Sequence, residues 1–168
     1  MEQQYQIRPM TFKDARRVLE IFQQGIDYGL ATFETQTPTW EAWDSDNYNF
    51  SRFVIEDAND HVIGYCAIKP VSKRECFSGI AEVSVYVDAD HQNLGLGTIL
   101  LRKLILDSEE HHIWTLQAAI FPDNKRSIAL HQKLGFRMVG VRHKMGKLKG
   151  KWEDVAILER RSTTVGLD

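Results

Sequence analysis

A glycine turn is the stretch of this chain whose residue types and spacing most clearly point to chemistry. It runs from Gln92 to Gly97 (QNLGLG), between an apolar run that ends at Val87 and a helical run that starts at Thr98. The N–H groups at the start of a helix attract anions, and glycine lets a bulky anion come close because it has no Cβ. The turn could therefore bind a pyrophosphate.

Three kinds of phosphate turn compete for this segment. A P-loop needs Lys and then Ser or Thr after its last glycine, and here Thr98 and Ile99 follow. A dinucleotide turn needs a third glycine where this chain has Leu100. The third pattern, Q/R-x-x-G-x-G/A, fits the segment. An ordinary corner between a strand and a helix remains the alternative.

A carboxylate on the preceding strand is the second candidate for chemistry. The run IAEVSVYV (80–87) alternates, so Glu82 lies on the face opposite the valines, together with Ser84 and Tyr86. A carboxylate next to an anion-binding turn could accept a proton from a substrate. A solvated carboxylate on the polar face of a strand is the alternative interpretation.

The elements that must position these groups follow from periodicity. Strands are predicted at 5–9, 50–56, 62–69, 80–87 and 114–121, and two more in the tail around a turn at 146–150. Helices are predicted after Thr11, after Thr37 or Thr39, from Thr98, and over 125–134. The order is β-α-α-β-β-β-α-β-α-β-β. The crossover from 80–87 to 114–121 requires a parallel pair, which predicts a mixed α/β fold in one domain.

Composition excludes several classes of protein. The 168 residues carry 21 basic and 23 acidic side chains, so no general attraction to nucleic acid or to a membrane is expected. The chain has neither a signal-like start nor an apolar run of about 20 residues, which predicts a cytoplasmic location. His111 and His112 are adjacent and cannot share one helix face, so no metal is expected.

Six blocks in order resemble a known family. They are ATFET, WEAW, GYCAIKPVSKRECFSGIAEVSVYV, IWTLQAAIFPDN, SIALHQKLGF and GKWEDVAILERR. Together with the turn they resemble the GCN5-related N-acetyltransferase (GNAT) superfamily and, within it, the phosphinothricin and methionine sulfoximine acetyltransferases. The resemblance implies a mixed sheet with a splayed parallel strand pair flanked by helices, with acetyl-CoA inserted at the splay. It also implies a homodimer.

The resemblance assigns expected roles to individual residues. Glu82 would be the general base for a small amine substrate, and His131 would be either the acid for the departing thiolate or a contact on the cofactor side. A backbone N–H near Val85 would stabilise the oxyanion. The expected contacts to acetyl-CoA are Val85, Tyr86, Val87, Gln92, Asn93, Leu94, Gly95, Leu96, Gly97, Thr98 and Asn124.

The acceptor site is expected to lie on loops. Lys73 and Arg74 precede the Glu82 strand and could hold a carboxylate or a phosphinate, or form a solvated charged loop. Phe33 could line the acceptor pocket or simply pack. The expected reaction is direct acetylation of the α-amino group of phosphinothricin, methionine sulfoximine or methionine sulfone. The alternatives are another small amine or polyamine, a protein N-terminus, or a non-catalytic acyl-CoA-binding domain.

Overall fold

The computed structural model describes residues 4–168, which form a seven-stranded mixed sheet flanked by helices. The strands are β1 (Gln6–Pro9), β2 (Phe53–Glu56), β3 (Val62–Pro70), β4 (Ile80–Val87), β5 (Thr115–Ile120), β6 (Arg137–Leu148) and β7 (Lys151–Arg161). The α-helices are α1 (Ala15–Tyr28), α2 (Trp40–Asp46), α3 (Leu96–Glu110) and α4 (Lys125–Lys133). The sheet order is β1-β2-β3-β4-β5-β7-β6. This confirms the predicted α/β class and element order.

The predicted crossover between β4 and β5 is confirmed, but the two strands pair over only part of their length. The two strands pair in parallel from Ile80 opposite Thr115 to Glu82 opposite Gln117, where the pairing ends. Beyond Glu82, β4 continues beside β3, and β5 continues beside β7. The two strands therefore part after Glu82, and a gap opens in the middle of the sheet.

Helices cover both faces of the sheet. Leu100, Leu101 and Leu104 of α3 are fully buried in a core that includes Ile55 and Ile68 of β2 and β3. On the opposite face a second core joins side chains of α1 and α2 to β2 and β3; it includes Val18, Ile21, Trp43, Val54 and Tyr65. Because both faces are covered, the polar side chains of β4 lie beneath α1 and α2 and not in open solvent.

Tyr86 shows the effect of this covering. It shares the face of Glu82, as the alternation predicts, but its ring is half-buried and stacks on Tyr65 with a centroid distance of 5.4 Å. The helix α1 comes close to this ring because residue 25 is glycine. A Cβ there would lie 2.5 Å from the Tyr86 ring.

Two boundaries differ from the prediction. The last hairpin turns at Lys149 and Gly150, where φ is +48° and +81°, so Gly146 lies within β6 and not in the turn. Helix α3 begins at Leu96, two residues before Thr98, because Gly95 adopts a left-handed φ of +77° and caps the helix. Within residues 4–168, no helix combines the length and the apolar character needed to cross a membrane.

Candidate active site

Two cavities meet where β4 and β5 part. One, of about 470 Å³, contains Glu82 in its wall, and we call it the carboxylate cavity. The other, of about 480 Å³, is lined by the glycine turn, and we call it the turn cavity. The walls of both include Ala31, Val85, Tyr86, Asn124 and Ser127. The gap in the sheet therefore brings the carboxylate and the glycine turn to a common space.

Glu82 is held in place by a polar row across three strands. Lys69 lies opposite it on β3, and Gln117 lies opposite it on β5. The Lys69 Nζ is 3.4 Å from Oε1, and the Gln117 Nε2 donates to Oε2 at 3.3 Å. The Glu82 side chain remains 24% exposed. The carboxylate is thus oriented from both sides and is still accessible from the cavity.

The local structure explains why glycine occupies positions 95 and 97 of the turn. Gly95 holds a left-handed backbone conformation that other residues adopt only with strain. At Gly97 a Cβ would lie 3.1 Å from Cδ2 of Leu130, at the wall of the turn cavity. The first amides of α3, those of Leu96 and Gly97, have no acceptor within the helix. Bare N–H groups therefore face a space that glycine keeps open, and this arrangement suits an anionic group.

Gln92 fastens the turn to the sheet. Its Nε2 donates to the carbonyl oxygens of Val87 at 2.6 Å and Asp88 at 3.2 Å. Its Oε1 accepts a 2.6 Å hydrogen bond from Arg126, in the first turn of α4. Arg126 lines the turn cavity and brings a permanent cation to it. No sequence pattern points to Arg126, because only the packing of α4 beside the turn makes it a neighbour of Gln92.

Asp88 anchors the start of the turn. Its buried carboxylate accepts hydrogen bonds from Arg17, from Gln24 at 3.0 Å and from the backbone N–H of Asp90 at 3.1 Å. The His91 Nδ1 lies 2.8 Å from its Oδ1. Burial alone would raise the pKa of Asp88, but the hydrogen bonds from His91, Gln24 and Arg17 outweigh it and hold that pKa far below its ordinary value. The carboxylate therefore stays ionised and ties α1 to the end of β4.

The other predicted cofactor contacts divide into two groups. Leu94 is exposed and does not line the turn cavity, and the Leu96 side chain is buried in the core although the residue borders the cavity. The remaining residues line the turn cavity: Val85, Tyr86, Val87, Gln92, Asn93, Gly95, Gly97, Thr98 and Asn124.

Asn124 links the two cavities. Its Oδ1 accepts from the Ser127 N–H at 3.2 Å and caps α4, and its Nδ2 donates to the Leu30 carbonyl at 3.1 Å. The amide thereby connects α4 to the loop after α1 and lies in the wall of both cavities.

His131 lies in the wall of the carboxylate cavity and is buried. Its Nδ1 is 2.7 Å from the Ser127 carbonyl oxygen. A carbonyl only accepts, so Nδ1 carries the proton and Nε2 is the acceptor of the neutral ring. Burial lowers the pKa of His131, and the hydrogen bond to Ser127 opposes this only in part. The ring is therefore neutral at pH 7.

Of the three residues predicted for the acceptor site, one lines a cavity and two do not. Phe33 lines the carboxylate cavity, and its ring meets the Phe121 ring edge-on at a centroid distance of 4.7 Å. Lys73 and Arg74 are exposed and line neither cavity; the Arg74 guanidinium lies 5.2 Å from the centroid of the Phe77 ring. In the part of the chain that the structure describes, no three His, Cys, Asp or Glu side chains are grouped to hold a metal ion.

Comparison with known proteins agrees with this geometry. The acetyltransferase (GNAT) family model matches residues 17–136. A phosphinothricin N-acetyltransferase of Streptomyces viridochromogenes is 28% identical over 158 residues, which cover 92% of this chain and 86% of the relative. An L-methionine sulfoximine/L-methionine sulfone acetyltransferase of Pseudomonas paraeruginosa is 36% identical over 106 residues, 63% of this chain and 62% of the relative.

A solved structure shows the same fold. YncA of Salmonella typhimurium, solved with its cofactor acetyl-CoA, superposes with a TM-score of 0.87 at 26% identity and covers 98% of each chain. The predicted resemblance to the GNAT superfamily is thus confirmed. The chain belongs to the GNAT family of acetyltransferases and is an N-acetyltransferase.

Proposed function

We propose that the protein transfers an acetyl group from acetyl-CoA to the α-amino group of a small amino-acid-like acceptor. Phosphinothricin, methionine sulfoximine and methionine sulfone are the proposed acceptors, because the relatives named above act on compounds of this kind. One observation carries the proposal. The carboxylate cavity and the turn cavity share a wall at the gap between β4 and β5, so an acceptor and a thioester donor can meet beside Glu82.

The turn cavity is the proposed site of acetyl-CoA. The bare amides at Leu96 and Gly97 and the guanidinium of Arg126 suit the phosphates of the cofactor. Val85 to Val87 would pair with the pantetheine arm, since β4 has lost β5 as a neighbour there. The residues that are present therefore fit this co-substrate.

Glu82 is the proposed general base. An amino acid is mostly an ammonium ion at pH 7 and must lose a proton before it can attack. Glu82 takes that proton, and the amine nitrogen forms a bond to the thioester carbonyl carbon. The bond from carbon to sulfur then breaks, and the second proton that the nitrogen loses passes through water to the departing thiolate. A backbone N–H near Val85 stabilises the oxyanion during this step. Gln117 acts as a positioning residue, because its amide orients the Glu82 carboxylate.

We propose that His131 is a neutral contact in the wall of the carboxylate cavity and not the acid. An acid at this position would need a proton on Nε2, and burial disfavours the charged ring. A thiol has a pKa of about 8.5, so the departing thiolate can leave without an acid and take its proton from water.

We also propose that the enzyme is a homodimer. Strand β6 is at the edge of the sheet, and the β6–β7 hairpin exposes large apolar side chains. They are Met138, Val139, Val141, Met145 and Trp152. Such a patch is typical of a contact surface. Sedimentation should give a dimer for the native protein and a monomer for the double variant Met145→Glu, Trp152→Glu. A native monomer at micromolar concentration would refute the dimer.

A thiol-release assay with acetyl-CoA tests the function. The panel contains phosphinothricin, methionine sulfone, methionine sulfoximine, a polyamine and a short peptide. The highest kcat/KM is expected for one of the first three compounds. A preference for the peptide or the polyamine would overturn the proposed acceptor class. Binding of acetyl-CoA without thiol release for any amine would contradict catalysis.

A further inference from the structure

Lys69 lies in the wall of the carboxylate cavity, where it orients Glu82 but has no assigned contact with the acceptor. It occupies the next-to-last position of β3, directly opposite Glu82 in the antiparallel ladder. Its Nζ lies 3.4 Å from the Glu82 Oε1, and its side chain is 47% exposed. An ion pair this exposed contributes little to stability, so a ligand can separate its two partners at small cost.

Most of the charged side chains around Lys69 are negative. Among the described residues that line the carboxylate cavity, the charged side chains are Glu34, Asp46, Glu82 and Lys69. Three carboxylates therefore face one cation. Such a cavity attracts an ammonium group and offers an anion a single favourable position, which is the Nζ of Lys69.

The spacing of the pair matches one chemical class. An α-amino acid carries its amine and its carboxylate on the same carbon, so the two charges lie side by side. Lys69 and Glu82 present opposite charges at contact distance. An α-amino acid can replace their ion pair with two others, in which its amine meets Glu82 and its carboxylate meets Lys69. A simple amine has no carboxylate, so it would take Glu82 from Lys69 and offer Lys69 no new partner.

We propose that Lys69 binds the α-carboxylate of the acceptor and thereby selects α-amino acids over simple amines. The proposal rests on the proposed function and assigns it a specificity residue. The cations of the neighbouring loop are the rival: Lys73 and Arg74 are also basic, but neither lines the cavity.

The test compares two acceptors with native enzyme and variants. Methionine sulfone carries the α-carboxylate, and its carboxamide has the same side chain and amine but no negative charge. Lys69→Met should raise KM for methionine sulfone about tenfold or more, the usual effect of one lost charge-assisted hydrogen bond. Because Lys69 also orients Glu82, kcat should fall by a similar factor for both compounds, and only the change in KM reports on the α-carboxylate. KM for the carboxamide should stay within about twofold, and its turnover shows that the variant is folded. Lys69→Arg should keep most of the preference for the acid.

Lys73→Met is the matched control, because it removes a cation that lies outside the cavity. It should leave the ratio of the two KM values unchanged. The proposal is overturned if Lys69→Met leaves that ratio unchanged. It is also overturned if Lys73→Met or Arg74→Gln removes the preference for methionine sulfone over its carboxamide. If the native enzyme acetylates none of phosphinothricin, methionine sulfoximine and methionine sulfone, the proposed function itself fails. If it acetylates methionine sulfone and the carboxamide, the ratio of their KM values alone decides the role of Lys69.

Discussion

The substitution Asp88→Asn should lower the free energy of unfolding by about 2 to 3 kcal/mol. Asp88 is 3% exposed and receives hydrogen bonds from Arg17 and Gln24 of α1 and from the turn. Each charge-assisted hydrogen bond contributes roughly 1.5 to 3 kcal/mol, and breaking a buried pair costs about 3 to 5 kcal/mol. The Arg17 side chain is 34% exposed, so water offsets part of its loss and the lower range applies.

Urea unfolding at pH 7 measures this effect, and Tm should fall by roughly 5 to 10 °C. The folded pKa of Asp88 lies below that of the unfolded chain, so its contribution is complete above about pH 4. It is lost as the pH falls through the folded pKa. The difference between native protein and variant should therefore be constant near neutrality and shrink in acid.

Asp90→Asn is the matched control, because it removes the same charge from an exposed side chain two residues away. It should change the free energy of unfolding by less than about 0.5 kcal/mol. If Asp88→Asn has no larger effect than Asp90→Asn, the carboxylate does not anchor the turn, and the reasoning is wrong.

Three further predictions concern the two cavities. Arg126→Gln should raise KM for acetyl-CoA about tenfold but not KM for acetyl-pantetheine, which has none of the cofactor's phosphates; an equal change in both would contradict a phosphate contact. Gly97→Val should also raise KM for acetyl-CoA at least about tenfold, because its side chain would meet Leu130 in the turn cavity, whereas Gly140→Val, with open space around its Cβ, should not. Proton NMR should give His131 a pKa below about 6.5, with stability falling as the pH drops below that value because the unfolded ring binds the proton more readily; a midpoint above 7 would refute the neutral ring.

The sequence predicted those parts of the site that depend on local pattern. The alternation of β4 places Glu82 and Val83 on opposite faces of the strand. The two glycines predict a turn between a strand and a helix. The crossover rule predicts that β4 and β5 are parallel. These features arise within one continuous segment, from Ile80 to Ile120, where periodicity and turn chemistry are informative.

The rest of the site depends on register and packing between distant segments. Lys69 and Gln117 meet Glu82 only because two ladders align them, and no local signal sets that register. Arg126 reaches Gln92 because α4 lies beside the turn. The exposure of Arg74 likewise follows from the path of a loop, which residue types alone do not determine.

Glu82→Gln tests the central claim most directly, that Glu82 accepts the proton of the amine where the two cavities meet. The variant should lose at least about a hundredfold in kcat, the usual range for a general base, while the Kd of acetyl-CoA stays within about twofold. Glu34→Gln, which alters another carboxylate of the same cavity, should keep kcat near the native value. A Glu82→Gln enzyme with native kcat would contradict the account.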